Sequence, residues 1–204
     1  MTFEKRVPQI ISVIFHPLLM PSAGLLILFN SGTYLSLVSF DVKKVIFLTV
    51  VLSTLVLPLA LLPVLYFRKI ITDIQMDIRQ ERFLPYFLIM ILYILTFIFL
   101  IRIPLHSHIH AYALSLPVMV LVLILVNIRL NISEHMMALG GIVGLILSLV
   151  IHFGLALQSY FVIAVLAAGI TGTARAILRK HSALELYGGF ILGIIVTGVV
   201  MLIY

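Results

Sequence analysis

Three short stretches hold most of the residues able to do chemistry. In the last of them Arg175, His181 and Glu185 are spaced R-x5-H-x3-E. If a helix starts near His181, the carboxylate four residues on shares a face with the imidazole. There Glu185 can accept one ring N–H, fix the tautomer and leave the other nitrogen as a nucleophile. Arg175 offers a planar fork of donors suited to phosphate oxygens. The middle stretch, Asn131-Ile132-Ser133-Glu134-His135, precedes an apolar run holding Gly140, Gly141 and Gly144. Asn131 or Ser133 is placed to cap a helix whose free N–H groups favour an anion, and His135 is placed to protonate a leaving group. The first stretch, Asp73 to Pro85, sets Arg79 and Arg82 three apart on one helical face. Two arginines so placed can neutralise a dianion, or pair with Asp73, Asp77 or Glu81. Each stretch alone also fits a plain structural use: a basic loop with an exposed His–Glu pair, a capping segment with an interfacial histidine, a solvated charged helix.

The elements that must position these residues are written in the composition. Of 204 residues, 63% are hydrophobic and 10% charged, and the mean hydropathy is +1.30. Soluble domains average roughly 45–50% apolar and about 25% charged. A soluble globular protein is excluded, because one face of each surface helix would have to meet water, a requirement that lipid removes. Runs able to cross a hydrocarbon core, about 20 helical residues each, lie at about 7–29, 45–67, 83–101, 111–128, 136–157, 160–177 and 186–204. The expected fold is an all-α polytopic transmembrane bundle of six to seven spans, forming one domain over residues 1–204, with short connections and no linker. The proline-interrupted first run lacks a convincing cleavage site and reads as a retained span. With no cysteine, disulfides, thiolate metal sites and cysteine nucleophiles are excluded. The net charge of +6 is scattered between apolar runs, which argues against a nucleic-acid partner.

Assigning Lys and Arg to alternate sides puts Lys5, Arg6, Arg68, Lys69, Arg79, Arg82, Arg129, Arg175, Arg179 and Lys180 together, against Lys43, Lys44 and Arg102. That asymmetry predicts a cytoplasmic amino terminus and cytoplasmic site-bearing loops, in an integral protein of the plasma (inner) membrane. Every acidic residue except Asp41 falls on the same side. Each of the three stretches is separated from the next by two spans, so they are expected to meet at one face of the bundle.

Together these residues resemble the signatures of the type 2 phosphatidic acid phosphatase superfamily, the membrane relatives of the vanadium haloperoxidases: K-x6-R-P, P-S-G-H and S-R-x5-H-x3-D, in that order. Ala174-Arg175, His181 and Glu185 match the third, with Ala for Ser and Glu for Asp. Ile132-Ser133-Glu134-His135 keeps Ser and His of the second, and Arg82 with Pro85 stands for R-P of the first, with Gln75 at the lysine position and Arg79 the nearest substitute cation. The resemblance covers about residues 68–204, and Phe15 to Pro21, F-H-P-L-L-M-P, is similar to the opening of a divergent branch. It implies a metal-independent lipid phosphohydrolase with no cofactor, acting on a phosphorylated lipid. It further implies His181 as nucleophile through a phosphohistidine, Glu185 as its orienting carboxylate, His135 as the acid, and Arg175, Arg82, Arg79 and Ser133 around the phosphate. Glu134, where the family has glycine, brings like charge to the anion unless Arg129 or Arg79 pairs with it. The alternative on the same fold is a non-catalytic protein that binds or transports an anionic lipid.

Other residues suggest lesser roles. His106, His108 and His110 alternate; an extended segment would aim all three one way and could hold a divalent metal, but with no carboxylate near in sequence a wetted interfacial loop accounts for them better. His16 and His152 lie within spans, where ionisable groups invite a functional reading, here a proton path, against which a hydrogen bond to a neighbouring helix accounts for each at least as well. The Gly140/Gly144 and Gly189/Gly193 pairs predict close helix packing inside the bundle rather than a dimer face.

Overall fold

A backbone in lipid has no hydrogen-bond partner but itself, so runs dominated by Leu, Ile, Val and Phe close into helices. The computed structural model describes residues 3–73 and 79–204, so Gln75 and Asp77 lie outside the described residues. The α-helices are α1 (Phe3–Ile14), α2 (Met20–Asn30), α3 (Phe40–Val51), α4 (Leu57–Phe67), α5 (Phe83–Leu100), α6 (Ser107–Asn127), α7 (Glu134–Phe153), α8 (Gln158–Ile177) and α9 (Ala183–Ile203), with no strand among the described residues. They make 7 segments long and apolar enough to cross a membrane, the first two being Arg6–Asn30 and Phe40–Phe67. The chain is an integral multi-pass membrane protein.

Prolines break the first two segments. Between α1 and α2 lies a 3-10 turn, Pro17–Leu19, entered through His16 in an extended conformation, with ψ at 136°. Between α3 and α4 the helix widens into a π-turn over Leu52–Val56, where the Leu57 N–H bonds to the Leu52 carbonyl. Pro58, which has no N–H to return to the turn below, follows at once and accounts for the widening.

Helix ends differ from the apolar runs wherever a polar residue serves as the first turn. α6 begins at Ser107, so His108 and His110 are helical and the extended triad of histidines does not form. α7 stops at Phe153 because Gly154 takes the left-handed conformation, φ 61°, that ends a helix. α9 begins only at Ala183, leaving His181 outside it.

α7 is the most enclosed span. It packs on α9, α8 and α2, while α6 packs on α5 and α9, and α1 lies on α8. The α7–α9 contact is backbone to backbone. A Cβ on Gly144 would lie 2.5 Å from the Ile194 carbonyl oxygen, one on Gly189 2.7 Å from that of Ser133, and one on Gly193 would overlap the carbonyl of Met137. The small-residue pairs are therefore spent within the bundle. Since spans alternate in direction, the connections before α5, before α7 and before α9 share one end of the molecule with the start of α1.

Candidate functional site

That shared end is where the three charged stretches meet, and Asn131 links them. Its side-chain oxygen accepts from Arg82 Nη1 at 2.7 Å, and its carbonyl lies 3.0 Å from His181 Nδ1. A carbonyl can only accept, so His181 carries its proton on Nδ1 and turns the lone pair of Nε2 toward Arg175, whose Nη2 is 3.3 Å away. The tautomer expected from Glu185 is thus set instead by a backbone carbonyl. Glu185 Oε2 is 3.8 Å from Nδ1 and is engaged elsewhere: it accepts from the Ser182 N–H at 2.8 Å while Ser182 Oγ accepts from the Glu185 N–H, a reciprocal cap on α9. The physical reason lies in where α9 starts. With Ser182 as cap, Glu185 is the third residue of the helix, the position from which a carboxylate reaches back. The Ser182-x-x-Glu185 spacing was the sequence signal for it.

Burial and the neighbouring Arg175 guanidinium both disfavour the imidazolium, so the His181 pKa lies below its ordinary 6.5 and the ring is neutral at pH 7. A neutral ring with a defined tautomer is the form that can act as a nucleophile.

Arg82 is buried, 6% exposed, and its Nη1 also sits 3.4 Å from Glu134. Tyr86, one turn further along α5, donates a short hydrogen bond to the same carboxylate. Glu134 is therefore balanced by Arg82 and Tyr86, not by Arg129 or Arg79. Arg79 donates to the carbonyls of Arg129 and Ile128, at 3.1 and 3.0 Å, capping the end of α6. It points to the same loop as Arg82, as residues three apart in a 3-10 turn do, but is spent on backbone. Glu81 instead accepts from the Thr72 N–H and hydroxyl. Ser133 occupies the cap position of α7 without a side-chain cap bond; its Oγ is buried with no hydrogen-bond partner, and its N–H donates to the Glu185 carbonyl at 3.2 Å.

Beneath this cluster a cavity of about 690 Å³ opens into the bundle. Arg82, Glu134, His135, Arg175, Lys180 and His16 line its charged end. Tyr86, Ile89 and Tyr93 carry the wall down α5, roughly 16 Å from Arg82 at the helical rise per residue. Leu116, Met119 and Val120 of α6 line its deeper, largely apolar part, and Leu123 lies nearer the charged end, about 8 Å along the helix from the Ile128 carbonyl that Arg79 caps. Val13 and Leu59, which line the cavity, are 67% and 47% exposed, so its rim includes apolar surface facing outward. His181, Glu185, Ser133 and Arg79 do not line it; Arg175 stands between His181 and the space.

Two residues that sequence reasoning set aside or missed belong to this end. Tyr86 lies four residues after Arg82 on α5, a spacing that gave the signal. His16 sits edge-on to His135, with ring centroids 5.7 Å apart, and His135 in turn bonds through Nε2 to the Ser12 carbonyl at 3.1 Å. His152 lies at the other end of α7, roughly 25 Å from His135 at the helical rise, in edge contact with His108 at 5.1 Å. His16 and His152 therefore share no path. His110 bonds the Leu100 carbonyl at 3.1 Å, and no group of three or more His, Asp or Glu among the described residues could hold a metal ion.

Set against protein-family models, curated proteins and solved structures, the chain matches none.

Proposed function

We propose that the chain is a membrane-embedded lipid phosphohydrolase, related to the type 2 phosphatidic acid phosphatases, which removes a phosphate or diphosphate monoester through a phosphohistidine on His181. One observation carries this reading: Arg82, His135 and Arg175, from three stretches far apart in sequence, line the head of a cavity whose deeper part is largely apolar, with His181 behind Arg175 at 3.3 Å. An amphiphile with a phosphorylated head and a hydrocarbon tail fits that polarity.

The chemistry follows from the hydrogen bonds. A phosphate oxygen takes the Arg175 donors away from His181 Nε2, freeing its lone pair to attack phosphorus in line with the bond to the lipid oxygen. As the head docks, neutral His135 takes the proton of the singly protonated phosphate on Nδ1 and passes it to the lipid oxygen as that bond breaks, while its Nε2–H stays on the Ser12 carbonyl. Water then attacks the phosphohistidine, its proton passing through His135 Nδ1 to the departing inorganic phosphate, with His181 and His135 both restored. Arg82 and Arg175 hold the equatorial oxygens. The same reading places this face and the amino terminus on the cytoplasmic side of the plasma membrane.

The test is release of inorganic phosphate from phosphatidic acid or a prenyl diphosphate by the purified protein in detergent with no metal added. The expected outcome is turnover that His181→Ala abolishes and vanadate inhibits, since vanadate adopts the trigonal-bipyramidal phosphoryl geometry. Turnover unchanged by His181→Ala overturns the mechanism. A second reading, anionic-lipid binding without turnover, is favoured by the engagement of both His181 nitrogens and by the Glu134 carboxylate beside Arg82. Lipid binding with no phosphate released from any member of the panel decides for it.

A further inference from the structure

The amino-terminal segment builds one wall of the charged end, although it carries none of the three phosphatase signatures. Ser12 and His16 both line the cavity, and Ser12 holds His135 through its carbonyl. Backbone groups set both imidazoles there in the Nε2–H tautomer, but they engage opposite nitrogens. His16 Nδ1 accepts the Leu18 N–H at 3.3 Å, so the neutral His16 ring carries its proton on Nε2. His135 gives its Nε2–H to Ser12, leaving Nδ1 as the nitrogen that exchanges a proton. Neither His16 Nε2 nor His135 Nδ1 hydrogen-bonds another described residue, and neither is sealed in the protein. The charged end thus carries a fixed N–H donor from the N-terminal turn beside an imidazole able to take or give a proton.

We propose that His16 is a ligand-binding residue of this site, donating its Nε2–H to an oxygen of the phosphate head of the bound lipid. This rests on the reading of the cavity as a site for phosphorylated lipids, though not on hydrolysis. Protonation of His16 is not part of the role, because a proton on Nδ1 would break the bond from Leu18. The break between α1 and α2 at His16-Pro17 gains a purpose in this light: a continuous helix would have no turn N–H to fix the ring, and the extended backbone at His16 supplies it.

Two substitutions separate the ligand role from the turn. His16→Asn places an oxygen near the Nδ1 position and keeps the acceptor for the Leu18 N–H, but loses the distal donor. His16→Gln places an amide N–H near the Nε2 position and loses the cap. Binding of dodecyl phosphate to the full-length protein in a neutral detergent is measured by calorimetry, with thermal unfolding alongside and phosphate release followed separately. His16→Asn is expected to weaken binding about tenfold or more while unfolding near the wild-type temperature, as loss of a hydrogen bond to a charged group implies. His16→Gln is expected to bind within about threefold of wild type despite a lower unfolding temperature. Wild-type affinity in His16→Asn, or equal losses in both variants, overturns the proposal. Binding by the wild type without phosphate release, with the Asn variant still impaired, overturns hydrolysis and leaves His16 in its role. No binding by the wild type overturns both.

Discussion

Glu134 and Arg82 show how this site manages charge. An anion near Arg82 meets a carboxylate already there, at 3.4 Å, and that carboxylate is held by the Tyr86 hydroxyl. Removing its charge while keeping its shape and its acceptor oxygen releases Arg82 for the ligand. Glu134→Gln is therefore expected to tighten binding of vanadate or an alkyl phosphate by a few-fold to about tenfold, the scale of one net hydrogen bond returned to Arg82. Weaker binding in that variant shows instead that Glu134 is needed to aim Arg82. The arginines and histidines of this cluster were legible in the sequence as residue types at suggestive spacings. Their division of labour was not. Arg79 and Arg82 look equivalent in a string, but one caps α6 and the other is buried against Asn131, a choice made by a loop 50 residues away. The spacing reads Glu185 as the carboxylate of His181, but the residue caps α9 instead, because Ser182 supplies a partner three residues away while the imidazole lies outside the helix.

At the scale of helices, spans were legible because lipid leaves a helix as the only outcome for a long apolar run, and all seven runs correspond to spans. Their ends were less so: hydropathy drops at the first charged or imidazole-bearing residue, while the helix continues until its N–H groups find a cap. The glycines of α7 and α9 carried the clearest packing signal. Their contact also holds the site, because the Ser133 N–H donates to the Glu185 carbonyl just where the two helices begin, tying the stretch with His135 to the one with His181. Gly193→Val, which forces Cγ atoms into the Met137 backbone, is expected to destabilise the protein by about 1–3 kcal/mol in thermal or denaturant unfolding in detergent. Gly169→Ala is the matched control, since a Cβ there meets no atom within 4 Å. Equal stability of the two variants would mean that α7 and α9 separate without loss, and that their close approach does not hold the site together.

The whole molecule joins a polar end to an apolar interior through one cavity, and which side of the membrane that end faces decides which pool of lipid can reach it. The charged end gathers the cations of the connections before α5, α7 and α9, whereas the opposite end has Lys43, Lys44 and Arg102. Some of the first group are committed to the site, so their number overstates the topological signal; Arg68, Lys69, Arg129 and Arg179 lie outside the cavity and still outnumber the other side. If each of the seven segments crosses, the two ends of the described chain lie on opposite sides. The absence of cysteine from the sequence makes this directly readable, because any thiol introduced is the sole target for a maleimide. A cysteine at Arg129 is expected to react with a membrane-impermeant maleimide only after permeabilisation, and one at Leu37, 83% exposed in the connection between α2 and α3, in intact cells. The reverse pattern inverts the orientation while leaving the cavity intact, and would make the outer leaflet, not the inner, the source of the lipid proposed for it. Labelling of both positions from the same side would break the seven-span topology itself, and with it the convergence of the three stretches at one face.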